Sequence, residues 1–484
     1  MLLKKMLIRF IVCWACVACW PVWLNAAGAD RSPKYNVLFI MADDLRPDLG
    51  CYGNSKVITP HMDRLAAASI VFNRAYCQQA VCNPSRASML TGLRPDETGV
   101  TDLVTHFRDK VPDAVTLPQA FKNSGYTTVG LGKIFHGTKA TEDTVSWSSP
   151  KTQNLATRGQ DYHLSVNKTG RKAAAMEFIE GPDSGYPDGK ISDEAIRLLR
   201  QYKSSGEPFF LATGFKKPHL PFCAPKKYWD KYADISVDDY AKIPRPKAAP
   251  DIAFHQWQEL RGYTDIPKEA ALSPQQRADL VRGYYACISF VDAQIGKVLS
   301  ELKQLGLDKN TIVVLVGDHG YHLGEQELWC KSTNFELDAR IPLLIAVPGF
   351  SKTAGHSDAI VEAVDIYPTL TALCGIDAHT PLSGKSLVPL ISNPKKKWNG
   401  VAFSQFCRPY KAITAQKPTH MGYTMRDADF RYTLWYNLNT DSIEARELYQ
   451  LSNDGVETEN LTGNKKYQAV ESRMQAVLEA YRKR

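Results

Sequence analysis

Residues 35–48 read YNVLFIMADDLRPD, an apolar run that stops at two aspartates. A strand with one wet face would alternate apolar and polar side chains. This run does not alternate, which is the pattern of a parallel strand covered by helices on both faces. The arrangement returns in YTTVGLG (126–132) and TIVVLVGDHG (311–320). Helical patterns lie between these runs. HMDRLAAASI (61–70) follows the first, and a long segment from Ser273 to Gly306 opens on Ser-Pro, repeats apolar residues at three and four positions, and closes on glycine. Strand alternating with helix predicts an α/β fold with a mostly parallel central sheet flanked by helices. Ligands of such sheets gather beyond the carboxyl ends of the strands. Three strand ends present Asp43 and Asp44, Lys133 and His136, and Asp318 and His319.

The chain has 484 residues, more than one simple core needs, so a large domain with a smaller companion is expected. GKSLVPLISNPKKKWNG (384–400) ends a helical stretch in a proline, a lysine run and a glycine, which marks a boundary near residue 395. Lys395, Lys396 and Lys397 read as a solvated loop. Beyond them VAFSQF, MGYTMRD, FRYTLWYN and RELYQL alternate as short antiparallel strands, followed by a terminal helix around 466–482. The expected organisation is a large α/β domain over 30–394 and a smaller antiparallel α+β subdomain over 395–484. The stretch 225–275, rich in Pro, Lys and Asp, reads as an irregular surface excursion.

The first 29 residues differ in kind: Lys4, Lys5 and Arg9 precede the apolar IVCWACVACWPVWL, and AGA (27–29) offers a small-residue cleavage site. This is the pattern of a signal peptide, and it predicts a secreted or periplasmic protein with no membrane span after cleavage. Cleavage would take the formal charge from +8 to +5, since three basic residues leave. That mild excess fits an anionic ligand and gives no reason to expect nucleic acid. Eight cysteines would remain, at 51, 77, 82, 223, 287, 330, 374 and 407, without zinc-finger or CxxC spacing, so no disulfide scaffold is expected.

One cysteine stands in VCNPSRASMLTG (81–92). Taken alone, Cys82 with Arg86 four residues on is a weak case for a reactive thiol. Taken whole, Cys82, Pro84, Ser85, Arg86, Leu90, Thr91 and Gly92 match C-x-P-S-R-x-x-x-L-T-G, and the chain resembles the type I sulfatases on that string. The resemblance implies an alkaline-phosphatase-like fold. It also implies that a formylglycine-generating maturation enzyme oxidises Cys82 to formylglycine, an aldehyde that hydrates to a diol. One hydroxyl of the diol attacks sulfur; the other later expels sulfate by collapse to the aldehyde.

The other candidates are individually weak: Asp-Asp after a strand also serves as a turn or helix cap, and a loop His or Lys is often simply exposed. The family pattern nonetheless matches each one. It implies Asp43, Asp44, Cys82, Asp318 and His319 around one divalent cation, for which oxygen ligands favour Ca2+. His319 stands where many members carry asparagine. Lys133 in GLGKIFHG and Lys331 in WCKSTNF would clamp the sulfate. Arg86 would hold the diol with His136 as its base, and His219 in FKKPHLPF would protonate the departing sugar oxygen.

Within the family the chain is similar to the iduronate-2-sulfatases, on NVLFIMADDLRPDLGCYG, QQAVCNPSR, GKIFH, KKPHLPF, DHGYHLGE, WCKSTNF, VDIYPTL, MGYTMR and RYTLWYN. This implies a sulfated saccharide substrate, with the 2-O-sulfate of a terminal uronate as the expected target. A sulfatase of algal polysaccharide, or a phosphomonoesterase or phosphodiesterase of the same superfamily, is the alternative. Residues 97–109 are expected at the pocket rim; His106, Arg108 and His322 could read a uronate carboxylate or equally serve exposed structural roles. Tyr321 stands where the family pattern has a tryptophan.

Overall fold

The structure is a computed structural model that describes residues 35–138, 140–149, 161–168, 172–236, 243–350, 354–378, 381–414, 417–451 and 455–483. The expected signal peptide lies outside the described residues. No helix among the described residues is long and apolar enough to cross a membrane.

The strand Asn36–Ala42 is buried along its whole length and lies between two parallel neighbours, Thr311–Gly317 and Phe209–Phe215. Its continuous hydrophobicity has a physical cause. Leu38, Ile40 and Ala42 enter the core on one face of the sheet, and Val37, Phe39 and Met41 enter the core on the other. The long helices Pro187–Ser205 and Pro274–Gln304 supply Ile191, Leu199, Leu280 and Ile288 to the first core. The helices Cys82–Thr91, Leu117–Asn123 and Ile366–Cys374 supply Leu90, Phe121 and Leu370 to the second. Helix Pro274–Gln304 starts where the sequence places it: Ser273 caps Gln276 N, and the Gln276 side chain accepts from Ser273 N.

The central sheet has eight strands. From one edge the order is Arg340–Ile341, Ile70–Tyr76, Leu343–Ala346, Thr311–Gly317, Asn36–Ala42, Phe209–Phe215 and Thr127–Gly132, with Gly355–Glu362 also paired to Ile70–Tyr76. Four adjacent strands run parallel; Leu343–Ala346 runs antiparallel to both its neighbours. The parallel strands end level, with Ala42 opposite both Gly317 and Phe215, and Gly132 opposite Gly214. This register delivers Asp43, Asp318 and Lys133 to one edge. At that edge a side chain on Gly214 would put its Cβ 2.2 Å from the Lys133 carbonyl oxygen, so only glycine lets the turn bearing Lys133 close over the neighbouring strand.

The strands Ala402–Arg408, His420–Arg426, Phe430–Asn437 and Ile443–Gln450 form a sequential antiparallel sheet, and helix Gln468–Arg482 packs Met474 and Leu478 against it. The sheet sits directly behind the Cys82 segment. Ser404 donates to the Cys77 carbonyl, Gln405 N to the Gln78 carbonyl, and Val81 belongs to the small sheet's own core. Lys395, Lys396 and Lys397 are exposed, as expected.

One expectation is corrected. The described residues of 225–275 are mostly irregular, but they form no surface excursion: Trp229, Tyr232, Leu260, Tyr263 and Ile266 are buried in the main core. Their long-range packing carries Glu259 into the site described next.

Candidate active site

Cys82 opens the helix Cys82–Thr91 and is buried, with its Sγ 3.5 Å from Asp43 Oδ1 and 3.4 Å from both His319 Nε2 and Lys133 Nζ. A helix N-terminus presents unpaired amides and favours developing negative charge. One turn on, Arg86 is fully buried and knits the strand ends together. Its Nη2 donates to Asp43 Oδ1 and its Nε to Asp318 Oδ2, each at 2.8 Å, and Nη1 donates to the carbonyls of Lys133 and Ile134. The neighbouring Ser85 hydroxyl donates to the Asp318 carbonyl.

The carboxylates are arranged by backbone as well as by cations. Asp44 takes a left-handed conformation, φ 62°, and Tyr284 donates to its carbonyl at 2.6 Å. The amides of Asp44 and His319 both donate to Asp318 Oδ1 at 3.0 Å. Lys133 pairs with Asp43 Oδ2, and Lys331 reaches both oxygens of Asp44 at 2.9 and 3.1 Å. Burial alone would raise the Asp43 carboxyl, but Lys133 and Arg86 outweigh it and hold it well below the usual range. At Asp44 burial prevails over Lys331 and pushes the carboxyl up to about 7.

Asp43, Asp44, Cys82 and His319 bring one potential ligand atom each within 4.8 Å of one another, all buried. His319 Nδ1 donates to the Gly320 carbonyl at 3.0 Å, which leaves the neutral ring's Nε2 lone pair facing the cluster. Burial disfavours a charged imidazole there, yet Asp318 and Cys82 push His319 up to about 10. The surroundings thus call for positive charge at the position Nε2 faces, as a cation site does. Asp318 lies alongside, its Oδ2 3.6 Å from His319 Nε2, with its oxygens engaged by Arg86 and the two amides.

His136 follows Lys133 by three residues. Its Nδ1 is buried without a hydrogen-bond partner among the described residues, and burial together with Lys133 pushes the ring down to about 3, so it is a neutral proton acceptor. His219 sits on a loop pinned by Lys217, whose buried ammonium donates to the carbonyls of His219 and Pro221 and pairs with Asp161. Burial and Lys331 hold His219 well below its ordinary value. A charged side chain that sequence reasoning missed is Glu259, 2.9 Å from Lys331 Nζ and 3.4 Å from His219 Nε2. No local signal in QWQELRG marks it.

All the catalytic and metal candidates therefore converge, but the proposed carboxylate readers do not. His322 is fully buried, bonded to Asp338 at 2.6 Å and Gln326 at 3.0 Å. Arg108 spends its donors on Asp143, Gln119 and the carbonyls of Pro112 and Ala114. His106 accepts from Arg108 N and has its Nε2 3.3 Å from the Glu142 carbonyl. His106 and Arg108 thus build the 97–109 segment, and His322 a separate buried chain, instead of presenting free charge to the site. The segment itself adjoins the site, since Asn83 in the first turn of the Cys82 helix donates to the carbonyls of Asp102 and Thr105. Tyr321 is buried too, stacked on Tyr284.

A family model described as Sulfatase matches residues 35–376, and another, described as N-sulphoglucosamine sulphohydrolase, C-terminal, matches residues 324–484. The iduronate 2-sulfatase of Mus musculus is 33% identical, with 90% of this chain and 92% of that protein covered. The iduronate 2-sulfatase of Homo sapiens is likewise 33% identical, with 88% and 90% covered. Among solved structures, the phosphonate monoester hydrolase of Agrobacterium radiobacter superposes with a TM-score of 0.76 at 22% identity, covering 93% of this chain and 95% of that one, which shows the shared alkaline-phosphatase-like fold. The matched family, the relatives and the Cys82 motif agree: the chain belongs to the sulfatase family, as a type I, iduronate-2-sulfatase-like hydrolase of sulfuric esters.

Proposed function

We propose that this sulfatase removes the 2-O-sulfate of a terminal uronate in a glycosaminoglycan or related polysaccharide, using formylglycine made from Cys82. The observation that carries the reading is the position of Cys82 Sγ, within 3.5 Å of Asp43, His319 and Lys133 at a helix N-terminus. A thiol here is poorly suited to attack: burial and Asp43 push it up, away from thiolate. A hydrated aldehyde at the same position supplies a hydroxyl nucleophile that needs no free thiolate.

Asp43, Asp44, Asp318 and His319, with residue 82, would hold the divalent cation, and their mainly oxygen donor set favours Ca2+. Bound there, the cation would supply Lewis-acid polarisation of a sulfate oxygen. Lys133 and Lys331 place two ammonium groups around the sulfate and stabilise the charge that grows on its oxygens. Arg86 fixes residue 82 relative to Asp43 and Asp318. His136, neutral and with an unengaged buried nitrogen, takes the hydroxyl proton. His219 protonates the sugar oxygen as it departs, and the negative charge of a bound sulfate ester counteracts the burial and the Lys331 field that otherwise keep its ring neutral. An alkoxide is a poor leaving group, so this acid is worth roughly a hundredfold to ten-thousandfold.

Residues 1–29 are read as a signal peptide, 30–394 as the catalytic domain and 395–484 as a C-terminal subdomain, which makes the enzyme secreted or periplasmic. The test of substrate class is sulfate release by the matured enzyme from 2-O-sulfated uronate disaccharides, 6-O-sulfated hexosamines and algal sulfated oligosaccharides. Turnover confined to the first supports the proposal. Turnover of only the others removes the uronate assignment.

A further inference from the structure

Glu259 has no part in the roles assigned so far. Its carboxylate is largely buried, 14% exposed, and bridges two functional side chains: Lys331 Nζ at 2.9 Å and His219 Nε2 at 3.4 Å. Lys331 is held on its other side by Asp44, so the ammonium is fixed between two carboxylates. His219 is equally constrained. Its Nδ1 donates to the Leu220 carbonyl, and its loop is tied down by Lys217 through the His219 and Pro221 carbonyls.

These contacts decide which atom can carry the proton to be given away. With Nδ1–H engaged by backbone, the transferable proton belongs on Nε2, the nitrogen that faces Glu259. An unprotonated Nε2 sets a lone pair against a carboxylate oxygen; an Nε2–H finds an acceptor there. The backbone carbonyl of Glu259 also accepts from Lys172 Nζ at 2.9 Å, a further tie on the residue.

We propose that Glu259 is a positioning residue for the acid step: it holds the proton-bearing Nε2 of His219 beside the Lys331 clamp, where the leaving oxygen departs. The inference rests on the reading of His219 as the acid. In that step the bond from sulfur to the residue 82 hydroxyl oxygen forms, that hydroxyl's proton passes to His136, and the bond from sulfur to the sugar oxygen breaks. The electron pair of the broken bond stays on the sugar oxygen, which takes the Nε2 proton, and His219 is left neutral beside Glu259. A group that acts only through proton donation matters in proportion to how badly the leaving group needs a proton. A group that acts by supporting the fold or by holding Lys331 lowers the rate on every ester alike.

The test compares the matured wild-type enzyme with Glu259→Gln, Glu259→Asp and His219→Ala on p-nitrophenyl sulfate, a good leaving group, and phenyl sulfate, a poorer one. The expected loss of kcat/KM for Glu259→Gln is about 10-fold larger on phenyl sulfate than on p-nitrophenyl sulfate, a share of the hundredfold or more that a general acid supplies. His219→Ala shows the same bias more strongly, and Glu259→Asp restores part of it. Equal losses on both esters for Glu259→Gln, with His219→Ala still biased, overturn the role of Glu259 and leave the acid assignment standing. Equal losses for His219→Ala overturn the acid assignment and the inference with it.

Discussion

Replacing Arg86 tests how the strand ends are held together, because this one side chain serves two carboxylates and two carbonyls from three segments. It is fully buried, and its partners Asp43 and Asp318 are 1% and 0% exposed. Arg86→Ala removes every one of those donors and leaves two carboxylates facing each other without water. Breaking a buried ion pair by removing one partner costs about 3–5 kcal/mol. Arg86→Lys keeps the charge, but an ammonium on a shorter stem cannot span both carboxylates and both carbonyls. Losing two of the four contacts, at roughly 1–1.5 kcal/mol each, predicts a loss of about 2–3 kcal/mol. The assay is urea unfolding followed by tryptophan fluorescence, in EDTA and on the unmatured Cys82 form, so neither ion binding nor maturation enters. The predicted order of stability is wild type, Arg86→Lys, Arg86→Ala. An Arg86→Ala midpoint equivalent to less than about 1 kcal/mol of loss at unchanged slope would refute the reasoning.

Chelation is expected to abolish turnover and added Ca2+ to restore it. The same ion should raise unfolding stability by about 2.7 kcal/mol at a free concentration one hundred times its Kd, and Asp44→Asn should remove that gain. Asp161→Asn strands the buried Lys217 and should cost about 3 kcal/mol near neutral pH. Burial alone would raise the Asp161 carboxyl, but Lys217 and Lys216 outweigh it and hold its folded value below 3.8; its stabilisation is therefore present above 3.8 and lost as pH falls through that lower value. Urea titrations across that acid range should show a shallower decline for Asp161→Asn than for the wild type. His322→Ala breaks the buried Asp338–His322–Gln326 chain and should lower stability by about 2–3 kcal/mol while leaving the ratio of rates on different sulfated sugars unchanged.

The strands that carry the site were legible because their chemistry is local. A strand buried on both faces must be apolar at every position, and the aspartates of ADD and GDHG mark where the apolar run ends. The Cys82 string was legible as a motif. The antiparallel subdomain could be read from alternation, but its docking against Cys77, Gln78 and Val81 could not, since nothing in either segment names its partner. Glu259 was illegible for the same reason. It lies in a stretch with no periodicity, and only the burial of Leu260 and Tyr263 in the core turns its carboxylate toward Lys331 and His219. Whether His322 and Arg108 read a carboxylate or serve the fold could not be decided from sequence, which shows a charge near a site without showing the Asp338 or Asp143 that already holds it.

The central claim is that residue 82 acts as formylglycine. Its most direct test is mass spectrometry of the tryptic peptide containing residue 82, in enzyme produced with and without a formylglycine-generating enzyme, alongside sulfate release from the same preparations. The account predicts a peptide lighter by the difference between thiol and aldehyde, turnover proportional to the converted fraction, and none in Cys82→Ala. Full turnover from a preparation in which residue 82 remains cysteine would contradict it.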